Sequence, residues 1–180
     1  MRVALLLFSV CSITLAAESP SNTSHPSPDG KWLIAWHCAG TWRPDSCRIT
    51  LSRTLDHKVF FLHYTSDRYI AAVWNPDSSK CVLLNAPDNA NSYLSLFRVQ
   101  GHEITTETLD YDNISNTIEE AVPAARPRKD ALTRSGIEQI EWLSPSELRL
   151  HITYNNVPVV VALDVNKPRS PAIHVLSNET

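Results

Sequence analysis

Glycine is scarce in this chain, with four residues in 180. Loops that cradle phosphate need several glycines so that backbone N–H groups can approach the ligand, and no such loop is expected here. The Gly-x-Ser-x-Gly elbow, the His-Glu-x-x-His helix and the Cys-x-x-Cys pair are all missing from the sequence. Seven histidines are present, but none sits in a catalytic or metal-binding motif. His37 beside Cys38 is the one close soft-ligand pair, and it lacks the paired spacing of structural zinc. We therefore expect no catalytic residue, no metal and no cofactor. An excess of charge is lacking as well: 16 basic against 19 acidic side chains give a net charge of −3. That balance recommends neither nucleic acid nor an anionic membrane as partner.

Only one long apolar run exists, from Val3 to Leu15, preceded by Arg2 and followed by Ala16-Ala17 and then Glu18-Ser19. A run this short, with one cation ahead and small residues behind, reads as a secretory signal peptide over residues 1–17. Lipidation at Cys11 is disfavoured because Phe8-Ser9-Val10 is a poor approach to a lipidated cysteine. The processed chain is expected to be soluble and secreted or periplasmic, with no membrane span. Its length of about 160 residues fits one domain.

Three cysteines lie beyond the leader. Cys38 and Cys47 bracket Ala-Gly-Thr-Trp-Arg-Pro-Asp-Ser, which has turn chemistry and separates two apolar runs. In an oxidising compartment the two are expected to form a disulfide across a hairpin. Cys81, within Cys81-Val82-Leu83-Leu84, reads as a buried free thiol.

Residues 18–26 are rich in Ser, Pro and Asn and read as a flexible N-terminus. From Ser27 onward, short β-branched and aromatic runs alternate with Pro, Asp, Asn and Ser, the texture of an all-β domain. One element recurs. Ser27-Pro28-Asp29-Gly30-Lys31-Trp32-Leu33 matches Asn75-Pro76-Asp77-Ser78-Ser79-Lys80-Cys81-Val82 if one residue is gapped, and Ser144-Pro145-Ser146-Glu147-Leu148 matches loosely. Pro fixes φ, Asp accepts local backbone N–H groups, and Gly30 or a small Ser tolerates the bend. Ahead of the second and third turns, Tyr69–Trp74 and Ile137–Trp142 each end in Trp. Those indoles are expected in the core, with the N–H reaching a loop acceptor. The units run over residues 27–64, 65–108 and 135–176, before a tail of 177–180. Nothing before Ser27 reads as a strand, so the first unit is expected to lack its first one.

The repeat resembles the Pro-Asp-containing β-propeller repeats of WD40 and TolB type, in which Trp-Ser-Pro-Asp-Gly-Lys marks the turn between the first two strands of a four-stranded blade. The resemblance implies antiparallel four-stranded blade-like sheets, about three of them, and a scaffold rather than a chemistry. Closed propellers have roughly 4–8 blades. An open stack, an association of two chains and one continuous sheet all remain open.

The interval between the second and third turns is longer than that between the first and second, which places an insertion at residues 109–134. Ile114, Ile118 and Ala121-Val122 have helical spacing, so a short amphipathic helix is expected there, stopped by Pro123. Arg126, Arg128 and Lys129 follow it and offer a surface for an acidic partner, although a solvated loop explains them as well. The second candidate surface is Trp42, Arg43 and Asp45 in the Cys38–Cys47 loop, since Trp and Arg are common interface anchors. The functional expectation is a non-catalytic β-repeat module that binds a protein partner or itself. A cell-envelope hydrolase, a glycan-binding protein and an inhibitor of an extracellular enzyme are the alternatives.

Overall fold

The computed structural model describes residues 12–14, 23–39, 46–65, 69–86, 93–109, 111–127, 135–167 and 173–177. They form three antiparallel sheets and one α-helix. The first sheet orders β2 (Thr23–Pro26), β3 (Trp32–Ala39), β4 (Ser46–Arg53) and β5 (Val59–Thr65) side by side. The second orders β6 (Tyr69–Trp74), β7 (Lys80–Ala86), β8 (Tyr93–Gln100) and β9 (Glu103–Leu109). The third orders β10 (Gly136–Trp142), β11 (Glu147–Tyr154), β12 (Val157–Asp164) and β13 (Ile173–Ser177), with β1 (Ser12–Thr14) added against β10. Helix α1 (Tyr111–Ala121) links the second and third sheets and is followed by a short 3-10 turn, Pro123–Ala125.

The second sheet is buried on both faces, and its sequence shows why. Ala71, Val73, Val82, Leu84, Leu94 and Leu96 pack towards the third sheet, whereas Ile70, Ala72, Trp74, Cys81, Leu83 and Phe97 pack towards the first. Side chains alternate between faces along a strand, so a strand covered on both sides needs an unbroken apolar run. Ile-Ala-Ala-Val-Trp and Cys-Val-Leu-Leu are such runs. The outer sheets alternate instead: Trp32, Ile34, Trp36, Cys47, Ile49 and Leu51 are buried, while His37 and Arg48 are exposed. Phe61 meets Phe97 edge-on at 4.9 Å, which fixes the contact between the first two sheets.

Two expectations are corrected. The first unit does have its first strand: β2 pairs with β3 from Thr23↔Trp36 to Pro26↔Leu33, within a stretch read as a flexible terminus. The first two turns also align without any gap. Ser27 N donates to Trp32 O as Asn75 N donates to Lys80 O, and Gly30 N donates to Ser27 O as Ser78 N donates to Asn75 O. Trp32 N bonds the Ser27 hydroxyl as Lys80 N bonds Asn75 Oδ1, and the Asp29 and Asp77 carboxylates receive Lys31 N and Ser79 N in the same way. Ser78 stands at φ +63° where Gly30 stands at +71°. Its left-handed backbone hid the equivalence, because that conformation favours glycine.

The helix of the insertion is as expected. Ile114 and Ile118 are fully buried and, with Val122 and Ala125, join the core shared by the second and third sheets. Thr117 Oγ1 bonds Asn113 O at 2.9 Å within the helix. Pro123 has no N–H to continue the ladder, which ends the helix there.

Candidate functional site

Hydrogen bonds between units run through the repeated residues. The Trp74 indole donates to His25 O in the first sheet at 3.0 Å, and the Trp142 indole donates to Val73 O in the second at 3.1 Å. His25, Val73 and Glu141 are equivalent, each preceding the last residue of its unit's first strand. Each Trp therefore reaches back to the unit before it, to strand backbone rather than to a loop. The turns interlock too: Asp29 N donates to Ser78 Oγ at 3.0 Å, and Lys80 Nζ donates to Pro145 O at 2.7 Å. Arg98 on β8 hydrogen-bonds Val165 O of the third unit and pairs with Glu107 at 3.2 Å. The Trp-Asn-Pro-Asp-Ser-Ser-Lys run is thus a clasp between sheets, and its Asp77, Ser78 and Lys80 are committed to structure.

Cysteine chemistry is structural as well. Cys38 and Cys47 are register partners on β3 and β4 and form a disulfide, with Cα atoms 4.0 Å apart. It ties the base of the loop carrying Trp42, Arg43 and Asp45, which lie outside the described residues. Cys81 is free and fully buried, and burial pushes its thiol far up, so it stays protonated and unreactive.

The cationic candidate is only partly placed. Arg126 is exposed, and its Nε donates to Glu119 O at 3.1 Å, satisfying a carbonyl of the last helical turn. Arg128 and Lys129 lie outside the described residues. Nearby, the Tyr154 hydroxyl donates to Glu119 Oε1 at 2.5 Å, and its pKa is pushed up to about 12 by burial and by that carboxylate. Asn155 Nδ2 bonds Ala125 O at 2.7 Å, so the helix is stitched to the β11–β12 turn.

Three groupings were not singled out in the sequence. On the face of the third sheet turned away from the core, Glu141 is 7 % exposed. Its Oε1 lies 3.0 Å from Arg149 Nη1 and 3.5 Å from His151 Nε2. The three meet because Glu141 pairs with Arg149 and Gln139 with His151 across β10 and β11. At the β4–β5 turn, Arg53 grips Asp56 through two nitrogens and meets His102 Nδ1 at 2.8 Å. The hydrogen bonds from Arg53 hold the Asp56 carboxyl far below its usual range. Lys58 Nζ stands 5.0 Å from the centre of the Phe60 ring, and the Arg53 guanidinium 5.9 Å from it.

The third grouping is apolar. Val59 and Leu62 are 50 % and 52 % exposed on β5. Register places Val59 with Ser52 and Leu33, and Leu62 with Thr50 and Ala35, all on the outer face of the first sheet. A bulge at Phe60 shifts the alternation of Val-Phe-Phe-Leu, which brings both residues to one side. His37 and Arg48 flank the patch.

Among the described residues no group of three His, Cys, Asp or Glu side chains is arranged to hold a metal ion. No described helix is long and apolar enough to cross a membrane. No family model and no curated protein matches the chain. Among solved structures, the chain is similar to Kuenenia stuttgartiensis Hydrazine Synthase at 13 % identity, over 79 % of this chain and 39 % of that one, with a TM-score of 0.42. This chain therefore spans well under half of that protein's length.

Proposed function

We propose that this protein is an exported, non-catalytic β-repeat module of propeller-like type that binds a protein partner. The observation that carries the proposal is the pair Val59 and Leu62, half exposed on one side of the edge strand β5, on an outer sheet face with Leu33 and Ala35 beyond Ser52 and Thr50 and basic side chains at its rim. Single exposed apolar side chains are ordinary, but two brought to one side of an edge strand and framed by polar residues support an interaction surface. Export is supported by the cross-strand disulfide, since such bonds persist in oxidising compartments. The interlocked turns support a scaffold role, because the polar side chains a sequence reader would recruit for chemistry hold sheets together instead.

Its test is a photo-cross-linking residue at position 62, with the protein expressed in its native compartment. A discrete adduct that disappears when Val59→Lys is added supports the reading. Absence of any adduct, together with turnover on a panel of ester, peptide and glycoside substrates, sinks it in favour of the hydrolase alternative.

A further inference from the structure

The stack of sheets does not continue at either end by the means that hold it together. Where Trp74 and Trp142 reach back to the preceding unit, the first unit carries Pro26, which has no donor. Where His25 and Val73 receive an indole, the third unit has Glu141 beside Arg149 and His151, a charged face. Another blade, including one from a second copy, would cover the part-exposed Arg149 and His151 without gaining the indole bond.

The edge of β10 is different. Here β1 pairs antiparallel with it, in register Ser12↔Glu141, Ile13↔Ile140 and Thr14↔Gln139. This short strand lies inside the stretch that reads as a leader. The edge is open to such pairing because β10 runs seven residues without proline, whereas β2 is four residues long and ends in Pro26.

We propose that the β10 edge is a strand-accepting site. The chain's own leader segment occupies it before processing, and afterwards it takes an extended segment of a partner protein. The register states the chemistry of that segment. A residue opposite Ile140 continues the row of a fully buried side chain, so it is apolar and β-branched. Residues opposite Gln139 and Glu141 fall on the face carrying Arg149 and His151, so they are polar. Backbone hydrogen bonds supply affinity and the alternate side chains specificity, as in other β-augmentation complexes. The proposal deepens the protein-binding reading and rests on it and on the leader reading.

The experiment uses the full chain made in an oxidising cytoplasm, where the leader is retained, alongside Ile13→Pro, which cannot complete the pairing. Ile13→Asp, which keeps its backbone N–H, replaces it if the proline variant fails to fold. The probe is a labelled peptide of residues 8–17 carrying Cys11→Ser. In the variant, the β10 amides are expected to exchange about tenfold faster, and the peptide binds by fluorescence anisotropy. The unaltered chain and a scrambled peptide show no binding. Equal exchange in both chains overturns the proposal, as does faster exchange without peptide uptake. Dimerisation of the variant in light scattering, with no peptide uptake, assigns the edge to a second copy and overturns the partner. Val59→Lys lies on β5, away from β10, so absence of any adduct from position 62 with peptide uptake intact removes the patch reading alone, and an adduct without peptide uptake removes this one.

Discussion

Replacing Trp142 by Phe tests the backward-reaching clasp directly. Trp142 is 2 % exposed, and its indole lies 3.1 Å from Val73 O. Asn75 N bonds Lys80 O at the mouth of the β6–β7 hairpin. Alternation along an antiparallel ladder then makes Val73 and Val82 a hydrogen-bonded pair. The indole is therefore a second donor to an oxygen with two lone pairs, and phenylalanine does not leave that oxygen bare. What is lost is one buried hydrogen bond, about 1 kcal/mol net, and the ring volume beyond phenyl, about 1 kcal/mol more. Denaturant titration should show about 2 kcal/mol less stability through a lower midpoint at unchanged slope. For a chain of this size the melting temperature falls by roughly 4–8 °C. An isosteric analogue with sulfur in place of the indole N–H separates the two contributions and should lose about half of the effect. A Trp142→Phe protein within about 0.5 kcal/mol of the parent, the spread of ordinary surface changes, would refute the reasoning.

Ser78 opposes two terms of similar size, since its left-handed backbone costs about 1 kcal/mol and its hydroxyl receives Asp29 N at 3.0 Å. Ser78→Gly is thus expected to be nearly neutral and Ser78→Ala to lose about 1–2 kcal/mol, with thermal melts of both deciding it; equal losses would show that the clasp is idle. Cys38→Ala/Cys47→Ala opens a short loop closed by a separation of nine residues. It should cost about 2–3 kcal/mol, read by urea titration, with no loss where the parent is already reduced by dithiothreitol. His25 is stacked 5.0 Å from Trp36, and burial lowers its pKa from the ordinary 6.5. The unfolded chain then binds the proton more readily, so this stability is present above about pH 6.5 and is lost as pH falls towards the folded value, by at most about 1.4 kcal/mol per pH unit. His25→Gln should flatten that limb of the pH–stability curve, and an unchanged curve would count against it.

Much of the fold was legible because the core is periodic. The runs Tyr69–Trp74 and Ile137–Trp142, each ending in Trp ahead of a turn, coincide with or lie within observed strands, and the hairpin disulfide joins β3 and β4. The first strand, Thr-Ser-His-Pro, was not legible: an edge strand whose outward residues face solvent has no apolar alternation to display. The patch of Val59 and Leu62 was hidden by a bulge, which breaks the period of two that a reader relies on. The Glu141, Arg149 and His151 grouping depends on β10–β11 register, and spacing along the chain does not encode it. The indole acceptors are equally non-local, lying 49 and 69 residues away.

Direction along the stack follows from these same bonds and sets how it unfolds. Trp74 reaches back to the first sheet and Trp142 to the second, so the second sheet is both donor and acceptor. Both its faces are apolar, and neither is covered unless a neighbour is in place. A separated second sheet would expose Ile70, Leu83 and Phe97 on one side and Val82, Leu84 and Leu94 on the other. It therefore cannot persist alone, and loss of either outer sheet destabilises the centre. Repeat arrays whose units rely on their neighbours unfold together when the interfaces dominate. Val73→Ala, which removes apolar contact towards the third sheet only, should then lower a single transition seen alike by tryptophan fluorescence and far-ultraviolet dichroism. Two separated transitions would mean that the first sheet holds without its clasp, and that the interlocked turns add geometry rather than cooperativity.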